Sequence, residues 1–331
     1  MLSIALAFLS WRYVEQPFRN KGVFSRKVIF LFSVGGSIFL IVIGLVGYLT
    51  NGFENRAVNK IPSQIIDRKL AFNHGLNVAC DTGEFTLDPL CRTDGNPDIL
   101  VWGDSFAMHL VKGIMASNPN AKIIQLTKFT CGPFFDIAPI HEPKYPPSWA
   151  QGCLDFSRSV HEWLKKQTTI KYAVLASPYY NYLLKDGKIL TRDGDIFPGS
   201  DGSVLLDKAF ENTINELRQM GITPVVFSPP PLNGDDIGRC LAKSIWQGGD
   251  LEDCDFSVNE VPEGFTEVRR ILKKVEKYNP VIFLDDFICR DAICTTHHDN
   301  TFLYRDEAHL SCEGSVTLGK KFKFYDLIVN Q

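Results

Sequence analysis

The chain has 331 residues, of which 45% are hydrophobic and 22% are charged, and its formal net charge at pH 7 is -3. This length allows one large or two small folded domains, and the composition is ordinary for a folded protein. Because the charge is weakly acidic and no block of basic residues occurs, nothing in the sequence indicates binding to nucleic acid.

The chain begins with a short apolar segment, residues 1–10, which is too short to cross a bilayer by itself. A polar segment with five basic side chains follows: Arg12, Arg19, Lys21, Arg26 and Lys27. A cleaved signal peptide is the alternative interpretation, but there the charged residues precede the apolar run. We therefore expect residues 1–27 to hold the end of a membrane helix and a cytoplasmic basic segment.

Residues 28–50 contain no charged side chain. With a rise of about 1.5 Å per residue, a helix of this length can cross a hydrocarbon core about 30 Å thick. A buried core helix is the alternative, but the uniformly apolar composition favours a transmembrane helix. Since basic residues mark the cytoplasmic side, we expect the chain after Thr50 to lie outside the inner membrane. Residues 51–96 are predicted to be a periplasmic linker and lead-in.

The nine cysteines all lie at or after residue 80. Their spacing suggests four local disulfides and leaves Cys312 unpaired, although spacing does not prove connectivity. The suggested pairs are Cys80–Cys91, Cys131–Cys153, Cys240–Cys254 and Cys289–Cys294. A metal site is the competing interpretation, but no C-x-x-C pair occurs, and His297 and His298 are adjacent, a poor geometry for one ion. We predict disulfides, an oxidising compartment, no metal and no cofactor.

From residue 97 to residue 331, short β-rich segments alternate with segments of helical periodicity. The predicted strands are Ile99–Trp102, Ile123–Leu126, Tyr172–Ala176, Thr223–Ser228 and Val281–Leu284, and the predicted helices are Val204–Met220, Phe265–Tyr278 and one beginning near Glu313. Such alternation favours parallel strands with helical crossovers, and hence a three-layer α/β/α domain. Two long segments, residues 128–155 and 232–261, are predicted to be loops over the strand ends.

The first predicted strand ends in the sequence Gly103–Asp104–Ser105, and an apolar helical pattern follows at once. This junction places a serine hydroxyl at the carboxyl end of a parallel strand, beside the unpaired N–H groups of a helix start. A nucleophile and an oxyanion site can be built together there. The alternative is that Asp104 or Ser105 only caps the helix.

A serine nucleophile needs a base, and the segment YRDEAHLSCEGS near the end of the chain offers one. Asp306 and His309 are three residues apart, so on a turn the carboxylate can reach the imidazole and orient it. A solvated acidic turn is the alternative. His109 lies one helical turn beyond Ser105 and is predicted on the helix surface, and the remaining histidines have no companion pattern.

Gly-Asp-Ser after a strand, followed by Asp-x-x-His before the last helix, resembles the SGNH (GDSL-like) hydrolase superfamily. The resemblance implies Ser105 as nucleophile, His309 as base and Asp306 as the acid that orients it. It also implies an oxyanion hole formed by the Ser105 N–H, by Gly132 in the sequence FTCGPF, and by an asparagine. The third block reads LASPYYNY instead of the usual GxND, so Asn181 is the nearest candidate at an altered offset.

The segment FLSWRYVEQPFRNK resembles the end of the membrane domain of acyltransferase family 3, in which a further transmembrane helix leads to a periplasmic SGNH domain. The matching positions are Tyr13, Glu15, Pro17, Phe18 and Arg19. Only the last fragment of that membrane domain is present, so we expect a C-terminal piece or a split gene product. One departure is Phe106, where fused SGNH domains often have histidine.

The resemblance implies a periplasmic O-acyltransferase that acetylates a cell-surface polysaccharide, such as lipopolysaccharide O-antigen, through a serine acyl-enzyme. The acetyl donor would be relayed from an acyltransferase membrane domain, and the acceptor would be a polysaccharide or a lipid-linked glycan. Two alternatives are a membrane-anchored carbohydrate O-acetyl esterase and a non-catalytic glycan-binding module.

Overall fold

The computed structural model describes residues 2–16, 24–50, 52 and 63–331. The chain divides into two compact units, Met1–Pro62 and Ser63–Gln331. Three positions of the N-terminal motif, Pro17, Phe18 and Arg19, lie outside the described residues, as does the predicted linker segment 53–62.

The first unit is helical where the structure describes it. Helix α1 (Leu2–Ser10) continues into a π-helical turn at Trp11–Glu15, and helix α2 spans Arg26–Leu49. Ser25 caps α2, because its hydroxyl accepts the Val28 N–H at 3.4 Å. Among the described residues, α2 is the one helix long and apolar enough to cross a membrane, as judged by length and composition.

The second unit alternates strands and helices. Its strands are β1 (Ile99–Gly103), β2 (Ile123–Thr127), β3 (Ile137–Ile140), β4 (Tyr172–Ala176), β5 (Lys188–Thr191), β6 (Ile196–Pro198), β7 (Thr223–Phe227), β8 (Phe256–Ser257), β9 (Val281–Ile282), β10 (Cys289–Arg290), β11 (Ile293–Cys294), β12 (His297–His298) and β13 (Thr301–Phe302). Its α-helices are α3 (Ser63–Lys69), α4 (Ser105–Met108), α5 (Val111–Ser117), α6 (Pro147–Leu164), α7 (Gly202–Gln219), α8 (Ile237–Gln247), α9 (Glu263–Val275), α10 (Asp285–Ile288), α11 (Cys312–Phe322) and α12 (Phe324–Val329).

The five predicted strands form one parallel sheet in the order β2-β1-β4-β7-β9. Every residue of the interior strand β1 is buried. Because side chains alternate along a strand, Ile99 and Val101 enter one apolar core, with residues of α5, α11 and α12, while Leu100 and Trp102 enter the other, with α6, α7 and α9. Helices therefore cover both faces, and the predicted three-layer α/β/α architecture is confirmed.

The two segments predicted to be loops contain regular structure. Residues 128–155 include the beginning of α6, whose buried side chains, among them Ala150, Leu154 and Val160, recur at helical spacing. The helix begins at Pro147, which occupies the first turn, where proline is tolerated. Helix α8 lies in the second predicted loop, and β3, β5 and β6 form a small antiparallel sheet that the sequence analysis did not predict.

Residues 63–96 belong to the same compact unit as the sheet, while the domain boundaries drawn from the sequence stay a prediction. The structure joins the four cysteine pairs suggested by spacing, and Cys312 carries a free thiol. Each pair is close in sequence, so each disulfide restrains a local segment of the chain.

Candidate active site

The site lies at the carboxyl edge of the sheet, between the neighbouring strands β1 and β4. The chain passes from β1 to β2 on one side of β1 and then to β4 on the other side. Such a switch point opens a crevice above the strand ends. Gly103 ends β1 with φ +149°, and a Cβ there would lie 1.9 Å from the Ala176 carbonyl oxygen. Only glycine therefore allows this close approach of the two strands.

The residues Gly103–Ser105 form what we call the nucleophile turn. Asp104 is buried, and its carboxylate accepts the Phe106 N–H at 2.9 Å, which caps α4. The Ser177 hydroxyl donates to the second carboxylate oxygen at 2.7 Å. Asp104 thus takes the capping role, and the hydroxyl of Ser105, the first residue of α4, is free for another partner.

The residues Arg305–Leu310 form the base turn, which lies just before α11. The Asp306 carboxylate accepts the backbone N–H groups of Ala308 and His309 at 3.0 and 2.8 Å, so it folds the turn around itself. The same carboxylate lies 2.9 Å from His309 Nδ1. Because Nδ1–H donates to this carboxylate, Nε2 is left as an acceptor.

Ser105 and His309 meet between the two turns. The Ser105 hydroxyl donates to His309 Nε2 at 2.8 Å, and both residues are half-buried. Burial alone would raise the pKa of Asp306, but the hydrogen bond and charge of His309 and two backbone N–H donors hold that pKa well below its usual value. An ionised carboxylate, an oriented imidazole and a hydroxyl thus stand in a hydrogen-bonded row.

Two side chains to which the sequence assigned no role in the site support the base turn. Arg305 lies 3.1 Å from the Asp306 carboxylate, and its guanidinium covers the Phe72 ring at 4.1 Å. The Phe106 ring packs against the His309 ring, with centroids 4.7 Å apart. The first contact adds positive charge beside the carboxylate, and the second restricts rotation of the imidazole.

The carboxylate of the nucleophile turn has the opposite electrostatic setting. Burial raises the pKa of Asp104 to about 7, although the hydrogen bonds from Ser177 and from the Phe106 N–H oppose this shift. Among the described residues no cation pairs with this carboxylate, so no opposite charge offsets the burial that raises its pKa. Asp104 caps the helix as an acid that is only partly ionised near neutral pH.

Ser105 and His309 open onto a cavity of about 740 Å³. Its wall includes aromatic, amide and charged side chains, among them Tyr145, Tyr180, Asn181, Lys144 and Glu307. A second cavity, of about 360 Å³, lies beside the loop Pro229–Pro231 and shares Phe265 with the first. Ser228 lines the second cavity, but no histidine stands among the residues that line it, whereas Ser105 and His309 both line the first. The first cavity is therefore the candidate active site.

The two further residues of the predicted oxyanion hole, Gly132 and Asn181, lie in different surroundings. Asn181 lines the cavity with Ser105, but Gly132 does not. The Gly132 N–H donates to the buried Tyr182 hydroxyl at 3.2 Å instead. Phe129 and Thr130 form the wall in that block, and Thr130 has φ +62°, an unusual conformation for a β-branched residue. The Gly132 N–H is therefore engaged with Tyr182, away from the cavity onto which Ser105 opens.

The prediction of His109 on the helix surface is wrong. The side chain is 1% exposed, and its Nδ1 accepts the Leu310 N–H at 3.2 Å. The spacing from Ser105 indicated that His109 lies on the helix. It could not indicate that the base turn covers the side of the helix that carries His109. Ser177 and Arg305 were also missed, since an isolated residue of either type carries no signal until the fold brings it to a partner.

Chemically, the row Asp306–His309–Ser105 can remove a proton from the serine hydroxyl, stabilise the resulting imidazolium and return the proton to a leaving group. The Ser105 N–H begins α4, and such helix starts offer N–H groups to developing negative charge. The arrangement suits acyl transfer through serine.

A family model described as "SGNH domain (fused to AT3 domains)" matches residues 79–324. No curated protein matches the chain significantly. Among solved structures, the chain is similar to the periplasmic domain of a lipopolysaccharide acetyltransferase from Salmonella ser. Paratyphi A, with a TM-score of 0.57 and 15% identity, covering 78% of this chain and 95% of that chain. At this identity the similarity shows the fold alone.

Proposed function

The chain belongs to the family of SGNH domains fused to AT3 domains, and on this premise we propose that it is an O-acyltransferase that acetylates a cell-surface polysaccharide through an acyl-enzyme on Ser105. The observation that carries the proposal is the 2.8 Å hydrogen bond from the Ser105 hydroxyl to His309 Nε2. His309 is in turn held by Asp306 at 2.9 Å. The acetyltransferase domain of similar fold supports the choice of acyl group and acceptor class.

In the first half-reaction, Ser105 Oγ attacks the acetyl carbonyl while His309 Nε2 accepts the hydroxyl proton. The ionised Asp306 stabilises the imidazolium that forms. As the bond from the carbonyl carbon to the donor oxygen breaks, His309 returns the proton to that oxygen. The acetyl group is then an ester of Ser105, and the imidazole is neutral again.

Negative charge on the carbonyl oxygen requires donors near Ser105. The N–H of Ser105 is one, and the Asn181 side-chain amide is the second that we propose, because Asn181 lines the cavity with Ser105. Gly132 is not included, since its N–H is engaged with Tyr182.

In the second half-reaction, a sugar hydroxyl replaces the donor in the cavity. His309 accepts its proton while the hydroxyl oxygen attacks the acetyl carbonyl, and the Ser105 ester bond breaks. Ser105 Oγ recovers the proton, and the sugar leaves as an acetate ester. Tyr145 and Tyr180 on the cavity wall offer aromatic faces to a sugar ring.

The proposed location is the periplasmic side of the bacterial inner membrane. Support comes from the apolar helix Arg26–Leu49, from the basic residues that precede it, and from the four disulfides of the second unit. The acetyl donor would be relayed by an acyltransferase membrane domain, the partner that the family description implies.

The serine mechanism is tested by turnover of p-nitrophenyl acetate by the purified full chain and by its Ser105→Ala variant. We expect the variant to lose at least ~10³-fold in kcat, because removal of a nucleophile removes the acyl-enzyme route. Equal activity of the two proteins would exclude Ser105 as the nucleophile.

Esterase activity is the second candidate, and the half-buried state of Ser105 and His309 favours it, because water can reach the acyl-enzyme. The two activities separate when an acetyl ester is supplied with increasing oligosaccharide. The transferase proposal expects acetylated sugar to increase at the expense of free acetate. Release of acetate alone at every acceptor concentration would favour the esterase.

A further inference from the structure

A buried histidine that the proposed mechanism does not use, His109, connects the two halves of the candidate active site. We infer that His109 is a positioning residue that fixes the base turn relative to the helix carrying Ser105, by accepting the backbone N–H that follows His309. The inference rests on the proposed function, because the role assigned to His109 is to keep Ser105 and His309 in register for acyl transfer.

His109 is tied to the nucleophile through the backbone. Its N–H donates to the Ser105 carbonyl at 3.0 Å, so it lies one helical turn after the serine. Its own carbonyl accepts the Asn73 side-chain amide at 3.2 Å. Both the residue and Asn73 are buried, at 1% and 2% exposure. The imidazole therefore projects from a backbone that moves together with Ser105.

The imidazole reaches the base turn at the peptide group between His309 and Leu310. The Leu310 N–H donates to His109 Nδ1 at 3.2 Å, while the His309 carbonyl of the same peptide group accepts the Arg305 N–H at 3.0 Å. A peptide group is planar, so two hydrogen bonds on opposite ends fix its orientation. That orientation sets the direction in which the His309 side chain leaves the backbone.

Accepting an N–H requires an unprotonated Nδ1, so the His109 ring must be neutral. Burial lowers the pKa of His109 well below its usual value; the charges of His309 and Arg305 lower it further, and Asp306 opposes them. When His309 becomes an imidazolium during acyl transfer, its charge disfavours a second cation nearby. The acceptor at Nδ1 therefore persists through the reaction.

The hydrogen bond that His109 accepts can be distinguished from its packing contacts. The His109 and His309 ring centroids are 6.1 Å apart, and Phe106 packs against both rings, with its centroid 5.3 and 4.7 Å from theirs. An apolar side chain of similar size could fill this space and preserve the Phe106 contact. Only a hydrogen-bond acceptor can hold the Leu310 N–H.

The test compares three variants of the full chain with the wild type. His109→Leu removes the acceptor, His109→Asn keeps an acceptor near the position of Nδ1, and His109→Gln places its acceptor further along the side chain, nearer to Nε2. Turnover of p-nitrophenyl acetate gives kcat and KM, and amide hydrogen exchange at Leu310 reports its hydrogen bond. Far-UV circular dichroism identifies any variant that does not fold.

We expect His109→Leu and His109→Gln to lose about 10- to 100-fold in kcat with KM within about twofold, because a small misplacement of a base weakens catalysis without weakening binding. His109→Asn should stay within about fivefold of the wild type. Exchange at Leu310 should accelerate in His109→Leu but not in His109→Asn. If His109→Leu does not fold, the difference in kcat between His109→Asn and His109→Gln tests the inference.

Unchanged kcat in His109→Leu, or equal losses in the asparagine and glutamine variants, would overturn the inference. Ser105→Ala, measured in the same assay, distinguishes this failure from failure of the proposed function. If Ser105→Ala stays fully active, the serine mechanism falls and with it the positioning role. If Ser105→Ala is inactive while all three His109 variants are fully active, only the positioning role falls.

Discussion

The nucleophile turn and the base turn each contain one aspartate, yet the two carboxylates work in opposite ways. Asp104 is 1% exposed and meets only neutral donors, and burial raises its pKa to about 7. Asp306 is less buried, but hydrogen bonds and the charge of His309 keep its pKa well below the usual value. The first carboxylate shapes a backbone, and the second holds a charge beside an imidazole.

The two carboxylates differ in the group that their second oxygen meets. Both aspartates accept a backbone N–H close in sequence, so local hydrogen bonding does not separate them. The separation comes from the partner of the second oxygen, which is the Ser177 hydroxyl for Asp104 and His309 Nδ1 for Asp306. Replacing each carboxylate by the neutral amide should therefore affect different properties.

The largest effect is expected for Asp306→Asn, with a loss of about 10⁴-fold in kcat. The amide cannot stabilise the imidazolium, and it favours the wrong tautomer of His309. Asp104→Asn is the matched control, and it should stay within about tenfold of the wild type because an amide can still accept the Phe106 N–H. Comparable losses of kcat in the two variants would contradict the distinction between the turns.

The next effect concerns stability and its dependence on pH. The folded-state pKa of Asp104, about 7, is raised above an unfolded value of about 3.9. The contribution of Asp104 to the free energy of unfolding is therefore fully present below pH ~4. It is lost as the pH rises through 7, by an amount on the order of a few kcal/mol.

Denaturant unfolding of the second unit between pH 4 and 8 checks this expectation. The wild type should lose more stability than Asp104→Asn as the pH rises, since the amide does not titrate. Parallel stability curves for the two proteins would show that Asp104 is ionised without cost in the folded state.

A smaller effect is expected for Arg305→Met, which removes the cation 3.1 Å from Asp306. We expect a loss of about tenfold in kcat, because partial misplacement of Asp306 weakens the orientation of His309. Arg305→Lys keeps the charge but not the planar group over Phe72 and should recover part of the loss. Wild-type kcat in Arg305→Met would show that Asp306 is positioned without this ion pair.

The smallest effect belongs to the hydroxyl that serves the nucleophile turn. Ser177→Ala removes one hydrogen bond to Asp104 and should lower the free energy of unfolding by about 1 kcal/mol. Activity at 25 °C should be unchanged, because neither the cap from Asp104 nor the Ser105–His309 hydrogen bond involves this hydroxyl. A large loss of kcat would mean that Asp104 acts in catalysis as well as in capping.

The sequence alone predicts those parts of the molecule whose signals are local. All five strands of the main sheet are short apolar segments between turn residues, and Ser105, Asp306 and His309 occupy short motifs at characteristic places. The site residues found only in the structure depend on contacts distant in sequence. His109 and Leu310 are 201 residues apart, and Asp104 and Ser177 are 73 apart. Periodicity cannot place such partners. The predicted loop 128–155 also contains the beginning of the helix Pro147–Leu164.

Trapping the acyl-enzyme would test the serine mechanism directly. The full chain is mixed with p-nitrophenyl acetate, quenched rapidly in acid, digested and analysed by mass spectrometry, with Ser105→Ala treated in parallel. We predict that one acetyl group appears on the peptide carrying Ser105 in the wild type, and that the corresponding peptide of the variant is unmodified. If the wild type turns over without acetylated Ser105 at any quench time, and Ser105→Ala is fully active, Ser105 is not the nucleophile.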